Sequence, residues 1–328
     1  MKSKSLLLFL LFLLSASARS QSVELVDRPF LLPADTFDQK RFWVSTGVAT
    51  GIYTGISIGL WNAWYRDYPT GGFRTFNDSG EWLDLDKVGH FGGAWKEAIW
   101  LHHALRWTGM DRRKAMWAAA GGSVLLQGTI EIMDGFSQQW GFSWYDMGAN
   151  LAGTGLFIAQ EIAWEDQRIK VKVSNSLPTY PDLTLVNENG ATTQLRDRAE
   201  FLYGRGAYTR FVKDYNGQTM WITANPHSFL PESKLPKWLN IAVGYGGANM
   251  YGGYGNTWSV DGERFSLDSE DFPRHRQLFL SLDVDLERIP VRNRGLKFAL
   301  GLLNFIKIPA PTLELTRRNG VRFHPVYW

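Results

Sequence analysis

The hydrophobic pattern divides the chain into a helical half followed by a β-rich half. Residues 41–65 are apolar or small throughout, and three further segments have helical periodicity: 86–107, 113–133 and 144–164. From Glu165 onward the period changes to the alternation that is typical of strands. We therefore predict an α+β protein, with a membrane-associated bundle of about four helices over residues 41–165 and a β-rich domain over residues 166–328.

Alternating residues predict strands at 169–173, 239–247 and 278–287, and the last of these has one apolar and one acidic face. Three Asn-Gly pairs lie between potential strands, and this dipeptide supplies the positive φ angles of a tight hairpin turn. They are Asn189-Gly190, Asn216-Gly217 and Asn319-Gly320. We expect antiparallel hairpins at these pairs and a short amphipathic helix over 293–307, and the pattern at 194–212 is ambiguous but compatible with a helix.

The first predicted helix carries glycines at every fourth position, namely Gly47, Gly51, Gly55 and Gly59. Glycines at this spacing form a smooth face, a glycine zipper, that lets another helix approach closely in membranes. Aromatic residues lie near both ends of the helix, as in an aromatic belt: Trp43, Trp61, Trp64 and Tyr65. We predict that this helix contacts a membrane, and a buried helix in a soluble bundle is the alternative.

The first residues predict export. Lys2 and Lys4 precede an apolar run from Leu6 to Leu14 and the small-residue stretch SASARS, as in a secretory signal peptide over residues 1–20. An extended lead-in over 21–40 follows. The signal peptide holds three basic and no acidic residues, so the formal net charge of +3 falls to zero without it. A neutral chain without a basic patch argues against nucleic-acid binding.

Composition favours a protein of the bacterial cell envelope. The chain has 15 Trp and 33 Gly, which indicates aromatic anchoring at an interface, yet its mean hydropathy of −0.21 is too polar for a protein made mostly of membrane spans. It has no cysteine, which excludes disulfides and thiolate metal sites. We predict a location in the outer membrane or periplasm, with membrane lipid or other envelope proteins as partners.

Three consecutive predicted helices each carry polar residues in apolar, glycine-rich surroundings. These residues are Asp86, Lys87 and His90 on the second helix, Glu131 and Asp134 on the third, and Asp146 and Asn150 on the fourth. A buried polar group without a partner costs roughly 1–3 kcal/mol. The seven residues are therefore the candidate site, and Asp86 is four residues before His90, close enough to fix the imidazole tautomer.

Three interpretations of these residues stay open. They could satisfy one another and the helix ends, with Asp86 and Asp146 as caps and Asn150 as a bridge between helices. His90 could instead act as a general acid or base oriented by Asp86, with Glu131 or Asp146 as a second carboxylate. A metal site of His90, Glu131 and Asp134 is the third alternative, but it lacks the signature of two histidines at i, i+4. The sequence names no cofactor.

His102 and His103 are adjacent on the second predicted helix, so their side chains point a quarter-turn or more apart. Such a pair makes a poor chelate, and we expect both side chains to be solvated.

The candidate residues also carry a family resemblance over residues 40–165. The sequence DKVGHF at 86–91, followed by Glu131, Asp134, Ser143, Asp146, Asn150 and Gly153, resembles the YfiM-like periplasmic lipoproteins of Gram-negative bacteria and, more loosely, the VanZ-like membrane proteins. The β-rich remainder is similar to longer versions of the family in Bacteroidetes. The resemblance implies an envelope protein of unassigned activity. Because the chain has no cysteine, the lipid anchor of a lipoprotein is not carried over.

Two functions are argued from these observations, and a third, a binding module that presents the aromatic-rich strands to a partner, stays open. The first is a membrane-associated envelope protein with a structural or scaffolding role. The alternative is a hydrolase-type enzyme at the membrane surface that acts on a lipid or a cell-wall precursor through His90 and the neighbouring carboxylates.

Overall fold

Four long helices form the first half of the protein. The computed structural model describes residues 32–66, 69–318 and 320–328, so the predicted signal peptide, most of the lead-in and Asn319 lie outside the described residues. The helices are α1 (Gln39–Leu60), which a π-helical turn (Trp61–Tyr65) extends, α2 (Leu85–Trp107), α3 (Arg112–Gly135) and α4 (Trp144–Trp164). All four predicted helices are confirmed, with ends that differ by no more than about two residues apart from the π-helical turn.

Polar side chains fix where these helices begin. Asp38, Asp111 and Ser143 each accept a hydrogen bond from a backbone N–H two or three residues into the following helix, at 3.0–3.1 Å. Such caps satisfy N–H groups that have no partner inside the helix. The alternative in which Asp86 and Asp146 cap their helices is not observed, because the N-cap of α2 is Asp84 and that of α4 is Ser143.

Helices α2, α3 and α4 pack closely around an apolar core. The buried members of this core include Trp95, Ala98, Ala119 and Phe157. The tightest approach is at Gly153, where an added Cβ atom would lie 2.0 Å from the backbone oxygen of Phe91. Only glycine allows the backbones of α2 and α4 to come this close.

Helix α1 is different, because none of its residues is buried. Its four zipper glycines have no other atom within 4 Å of an added Cβ, so no described helix occupies the predicted groove. Large apolar side chains such as Trp43, Val48 and Ile52 are exposed on the same helix. Among the described residues, no helix has the length and apolar character needed to cross a membrane.

The second half contains three antiparallel sheets. The largest has six strands that pair in chain order: β1 (Ile169–Asn175), β4 (Gln218–Ala224), β5 (Leu239–Ala248), β8 (His275–Val284), β9 (Ala310–Thr316) and β10 (Gly320–Tyr327). The pairs β2 (Thr184–Val186) with β3 (Thr192–Gln194), and β6 (Thr257–Val260) with β7 (Glu263–Ser266), form the two small sheets. The short helices between them are α5 (Leu195–Tyr203), α6 (Ala207–Lys213), α7 (Pro226–Phe229) and α8 (Arg294–Leu303). The predicted α+β class is confirmed.

The Asn-Gly pairs mark hairpins at two of three positions. Gly190 has a φ of 80° between the paired strands β2 and β3. The hairpin of β9 and β10 also forms, with Gly320 at a φ of 66°. The prediction is wrong for Asn216-Gly217, which follows α6, because the Asn216 side chain there donates to tyrosine hydroxyls and to the backbone oxygen of Met250.

The outer face of the six-stranded sheet is apolar, whereas its inner face carries polar side chains together with the apolar residues Trp221, Ala242 and Phe279. Along β8, Leu278, Leu280 and Leu282 are exposed, whereas Phe279, Ser281 and Asp283 between them are buried. The same inversion appears in three further strands, where the exposed residues are Ile222, Ile241, Val243, Leu313 and Leu315 and the buried ones are Thr223, Asn240, Ala242, Thr312 and Glu314. The sheet thus reverses the usual arrangement of a soluble protein.

The sheet encloses its polar face by curling. Three strands separate β4 from β10, which would place them roughly 19 Å apart in a flat sheet. The rings of Trp221 on β4 and Tyr327 on β10 are nevertheless 6.1 Å apart, and Thr219 Oγ1 is 3.0 Å from the Tyr327 hydroxyl. Strand β1 also exchanges backbone hydrogen bonds with residues 305 and 307, just before β9.

Buried ion pairs fill part of this interior. Lys172 Nζ is 2.7 Å from Asp283 Oδ2, and neither side chain is exposed. Lys170 donates to Asp285 at 3.0 Å, and Asn304 donates to the same carboxylate at 2.9 Å. Because an unpaired charge in such a place costs several kcal/mol, each of these charges has a partner.

The helices meet the sheet at its first two strands. Val171 on β1 and Met220 on β4 contact the helical core, and an added Cβ at Gly92 of α2 would lie 2.8 Å from Val171. The helices therefore cover the apolar face at one edge, and the rest of that face stays exposed.

Gly153→Ala tests the close approach of α2 and α4. We expect a loss of about 1–3 kcal/mol in the free energy of unfolding, because the new methyl group must push the two backbones apart. Denaturant unfolding followed by circular dichroism measures this loss. Gly155→Ala is the matched control, since nothing lies within 4 Å of its Cβ and alanine favours a helix. Equal stabilities of the two variants would contradict this packing.

Candidate functional site

The structure brings the predicted residues of three helices together at one place. Six of the seven form one cluster. His90 and Lys87 lie at its centre, and a side-chain atom of each of the other four lies within 4 Å of one of them: Asp86, Glu131, Asp146 and Asn150. The seventh, Asp134, lies one turn beyond Glu131 on α3 and accepts a hydrogen bond from the Tyr65 hydroxyl at 2.7 Å. Side chains from α2, α3 and α4 therefore meet at one polar cluster.

His90 lies at the centre of the cluster and is held from two sides. Its Nδ1 donates to Asn150 Oδ1 at 3.3 Å, and its Nε2 is 3.5 Å from Glu131 Oε1. Asp86 Oδ1 is 3.9 Å from Nε2, which is beyond hydrogen-bond distance. Asn150, rather than the predicted Asp86, therefore fixes the tautomer. Burial alone would lower the pKa of His90, but the charges of Asp86, Asp146 and Glu131 raise it.

Lys87 neutralises several carboxylates at the start of α2. Its Nζ contacts Asp78, lies 3.1 Å from Asp146 Oδ1 and lies 3.4 Å from Asp86 Oδ2. Burial alone would lower the pKa of Lys87, and the surrounding carboxylates raise it above its usual range. The ammonium group therefore stays charged and occupies the space between three acids.

Sequence reasoning missed three members of the cluster. Asp78 lies in the loop before α2, where it accepts a hydrogen bond from Ser143 Oγ at 2.7 Å and contacts Lys87. Tyr65 binds Asp134, and Tyr215 donates to Asp86 Oδ1 at 2.9 Å. Asp78 could have been suspected as an acid in a polar loop near the motif. Tyr215 is 129 residues away from Asp86, and no pattern in the sequence joins the two.

The cluster holds more acids than bases, and the pKa values of three of its carboxyl groups are raised. Burial raises the pKa of Asp134 to about 7, and burial together with the charge of Asp86 raises the pKa of Asp146. Burial also raises the pKa of Glu131. Asp78 and Asp146 share a hydrogen bond, which together with Lys87 and Ser143 lowers the pKa of Asp78 against the effect of burial. The pKa values of Asp78 and Asp146 are thus shifted in opposite directions.

The arrangement could also place ligands around a cation. Among the described residues, Asp86, His90 and Asp146 offer ligand atoms that all lie within 4.8 Å of one another. This group differs from the predicted set of His90, Glu131 and Asp134. The Lys87 ammonium already contacts two of the three ligands, so a metal ion would have to displace it.

Most of the cluster is closed to solvent. Glu131, Asp146 and Asn150 are 1%, 4% and 0% exposed. A cavity of about 170 Å³ opens next to Tyr65 and has mainly apolar walls, which include Met133 and Phe136. None of the seven predicted residues lines it. The cluster is therefore mostly closed, although Glu131 Oε1, Asp146 Oδ1 and Asn150 Nδ2 have no hydrogen-bond partner among the described residues.

Comparison with known proteins assigns a family description to this part of the chain. Residues 74–160, less than half of the chain, match the model of a family described as a predicted periplasmic lipoprotein (DUF2279). The chain is similar to this family over α2, α3 and most of α4. The matched range includes all seven predicted site residues. No curated protein and no solved structure shows significant similarity to the chain.

This match confirms the coarser part of the predicted resemblance, a periplasmic lipoprotein family. The protein is an exported protein of the bacterial envelope, in the periplasm or the outer membrane. The similarity to YfiM-like and VanZ-like proteins stays a prediction.

Asp134→Asn tests the protons held in the cluster. The folded state raises the pKa of Asp134 from 3.8 to about 7, so it binds this proton more tightly than the unfolded chain does. The free energy of unfolding should therefore fall as the pH rises from about 4 to about 7. Asparagine cannot ionise, so the fall should be smaller in the variant.

Urea unfolding at a series of pH values measures this difference. Asp197→Asn is the control, because Asp197 is exposed on α5 and its replacement should leave the pH dependence unchanged. If Asp134→Asn and wild type show the same slope, Asp134 is ionised in the folded protein and the description of the cluster is wrong.

Proposed function

We propose that this protein is a membrane-associated structural component of the bacterial envelope, and that the apolar face of its six-stranded sheet contacts lipid acyl chains. The observation that carries the proposal is the inverted sheet, which buries charged residues and exposes a continuous set of large apolar side chains. Ten of these lie on five adjacent strands: Ile222, Ile241, Val243, Leu278, Leu280, Leu282, Leu313, Leu315, Val321 and Phe323. An exposed apolar surface of this extent marks an interaction site.

Lipid fits this surface better than a protein partner does, because the exposure is not confined to one patch. Helix α1 exposes Val48 and Ile52, α3 exposes Leu125, and α4 exposes Leu151 and Ile162. A single docked protein would cover one side of the molecule. Apolar exposure on the sheet and on three helices is what a surrounding hydrocarbon phase would cover.

The hydrogen bonding of the sheet supports the same proposal. In lipid, backbone polar groups must be satisfied within the protein. The curled sheet pairs its strands in an unbroken order from β1 to β10, and the edge of β1 pairs with residues 305–307. The buried polar face keeps its charges away from hydrocarbon, where an isolated charge would be costly.

Val243→Asp combined with Leu280→Asp tests the lipid-facing surface. These two residues are cross-strand partners on β5 and β8, and both are about half exposed. Burying an apolar side chain is worth roughly 1.5–3 kcal/mol. The double variant should therefore bind vesicles at least a hundredfold more weakly than wild type in a flotation assay.

The control for this assay is Val186→Asp combined with Phe201→Asp. Val186 and Phe201 are more exposed than the two test residues but lie on β2 and α5, outside the large sheet. These changes should leave flotation unchanged. The proposal is overturned if the wild-type protein is monomeric in carbonate buffer and does not bind vesicles there.

A second candidate function is a hydrolase-type enzyme at the membrane surface. The observation in its favour is the position of His90, whose imidazole has a raised pKa and lies between Glu131 and Asn150. A histidine in this environment could transfer a proton to or from a lipid or cell-wall precursor. The closure of the cluster favours the structural role instead.

His90→Ala separates the two functions. The structural role predicts that the melting temperature and the amount of protein in the envelope fall together, because Glu131 and Asn150 lose a buried partner at roughly 1–3 kcal/mol each. The control is His103→Ala, which changes an exposed histidine on the same helix. An envelope defect in cells that carry a stable, normally abundant His90→Ala protein would instead favour the enzyme.

A further inference from the structure

A second polar site lies between α2, α4 and the sheet, apart from the His90 cluster. It surrounds a cavity of about 240 Å³ that both basic and acidic residues line. The basic ones are Lys96, His102, His103, Arg106, Arg112 and Lys170, and the acidic ones are Glu161, Glu165, Asp166 and Glu287. Lys96 is six residues after His90, and at 100° per residue the two side chains point to different faces of α2. No residue of the His90 cluster lines this cavity.

Lys96 is the central feature of the cavity because its charge is buried without an acidic partner. The residue is 8% exposed, and its Nζ lies 5.9 Å and 5.3 Å from the ring centroids of Trp95 and Trp100. No carboxylate of the described residues forms an ion pair with it. A buried ammonium group in this situation is costly. Burial lowers the pKa of Lys96 to about 8, and the charge of Glu287, which forms no ion pair with Lys96, opposes this shift only in part.

His102 adds a second buried polar atom without a hydrogen-bond partner to the same cavity. Its side chain is buried, in contrast to the prediction that it is solvated, because it packs against Phe157 in the helical core. Its Nε2 has no hydrogen-bond partner among the described residues, and the closest carboxylate oxygen, Glu161 Oε2, is 3.9 Å away. Only His103 is exposed as predicted.

The acids around the cavity do not supply the missing partner, since other cations hold them. Glu165 Oε2 lies 3.8 Å from the Arg112 guanidinium. Glu161 accepts a hydrogen bond from Arg112 at 2.6 Å. Glu287 is bound by Lys170, and Asp166 accepts from Arg288 at 2.6 Å. The cavity therefore presents nitrogen donors whose natural complement is an anion with several acceptor oxygens.

We propose that this cavity binds a phosphate group, with Lys96 as its main charge partner and His102 as a hydrogen-bond donor. A phosphate group accepts hydrogen bonds from several directions, and lysine is a common phosphate ligand because its ammonium acts as a point charge. The bound phosphate would compensate the buried charge of Lys96. The proposal stands independently of the lipid contact of the sheet.

Lys96→Met tests this site by calorimetry with inorganic phosphate and by binding to vesicles. The methionine removes an unpaired buried charge, so the variant should fold with an equal or higher melting temperature when phosphate is absent. Lys114→Met is the control, because Lys114 is exposed on α3. Wild type and the control should bind phosphate in a saturable manner, and Lys96→Met should bind at least tenfold more weakly.

The vesicle arm identifies the source of the phosphate group. Binding to vesicles that contain phosphatidic acid is compared with binding to vesicles of phosphatidylcholine alone. Binding through the apolar sheet contributes equally to both, so the difference between them reports on the phosphate group. A Lys96-dependent preference for phosphatidic acid without binding of inorganic phosphate supports a lipid headgroup, and the reverse result supports free phosphate. The proposal is overturned if wild type shows neither effect, or if Lys96→Met binds as well as wild type.

Discussion

The rest of this fold depends on one constraint, which is that charges buried inside the sheet need partners, and the ion pair between Lys172 and Asp283 is an example. Both side chains are fully buried at a separation of 2.7 Å, inside a sheet whose opposite face is apolar. Charges of this kind need partners, and curling the sheet brings them together. Once the polar side chains face inward, alternation along each strand forces the leucines and valines outward. The apolar outer face of the sheet is therefore a consequence of the polar side chains buried on its inner face.

The His90 cluster also gives partners to buried polar groups, at the place where the helices contact the second half of the chain. Asp86 on α2 accepts a hydrogen bond from Tyr215, which comes just before β4, while Glu131 accepts one from the Ser143 backbone at the start of α4. The same cluster thus joins three helices and the β-rich half. This double attachment explains why so many polar residues can be buried here without forming an open cleft.

The sequence predicted the elements well, because both periodicities are strong in this chain. The four helices and the strands β1, β5 and β8 follow from the spacing of apolar residues, and the polar cluster follows from the cost of burying lone polar groups. The orientation of the sheet did not follow. Alternation along β8 defines one apolar and one acidic face, but it does not say which of them is buried, and the answer depends on partners such as Lys172 on a distant strand. Tyr215 and the buried His102 escaped prediction for the same reason, since long-range packing determines their surroundings.

The most direct test is to measure whether lipid or water surrounds the apolar outer face of the sheet in a bilayer. The chain has no cysteine, so a spin label can be attached at one chosen position through V243C, L280C or L313C in protein reconstituted into vesicles. The account predicts that labels at all three positions are accessible to oxygen and shielded from a water-soluble nickel complex, whereas a label introduced by V186C is accessible to the nickel complex. Nickel access at positions 243, 280 and 313 equal to that at 186 would show that the apolar face of the sheet is in water, and would contradict the account.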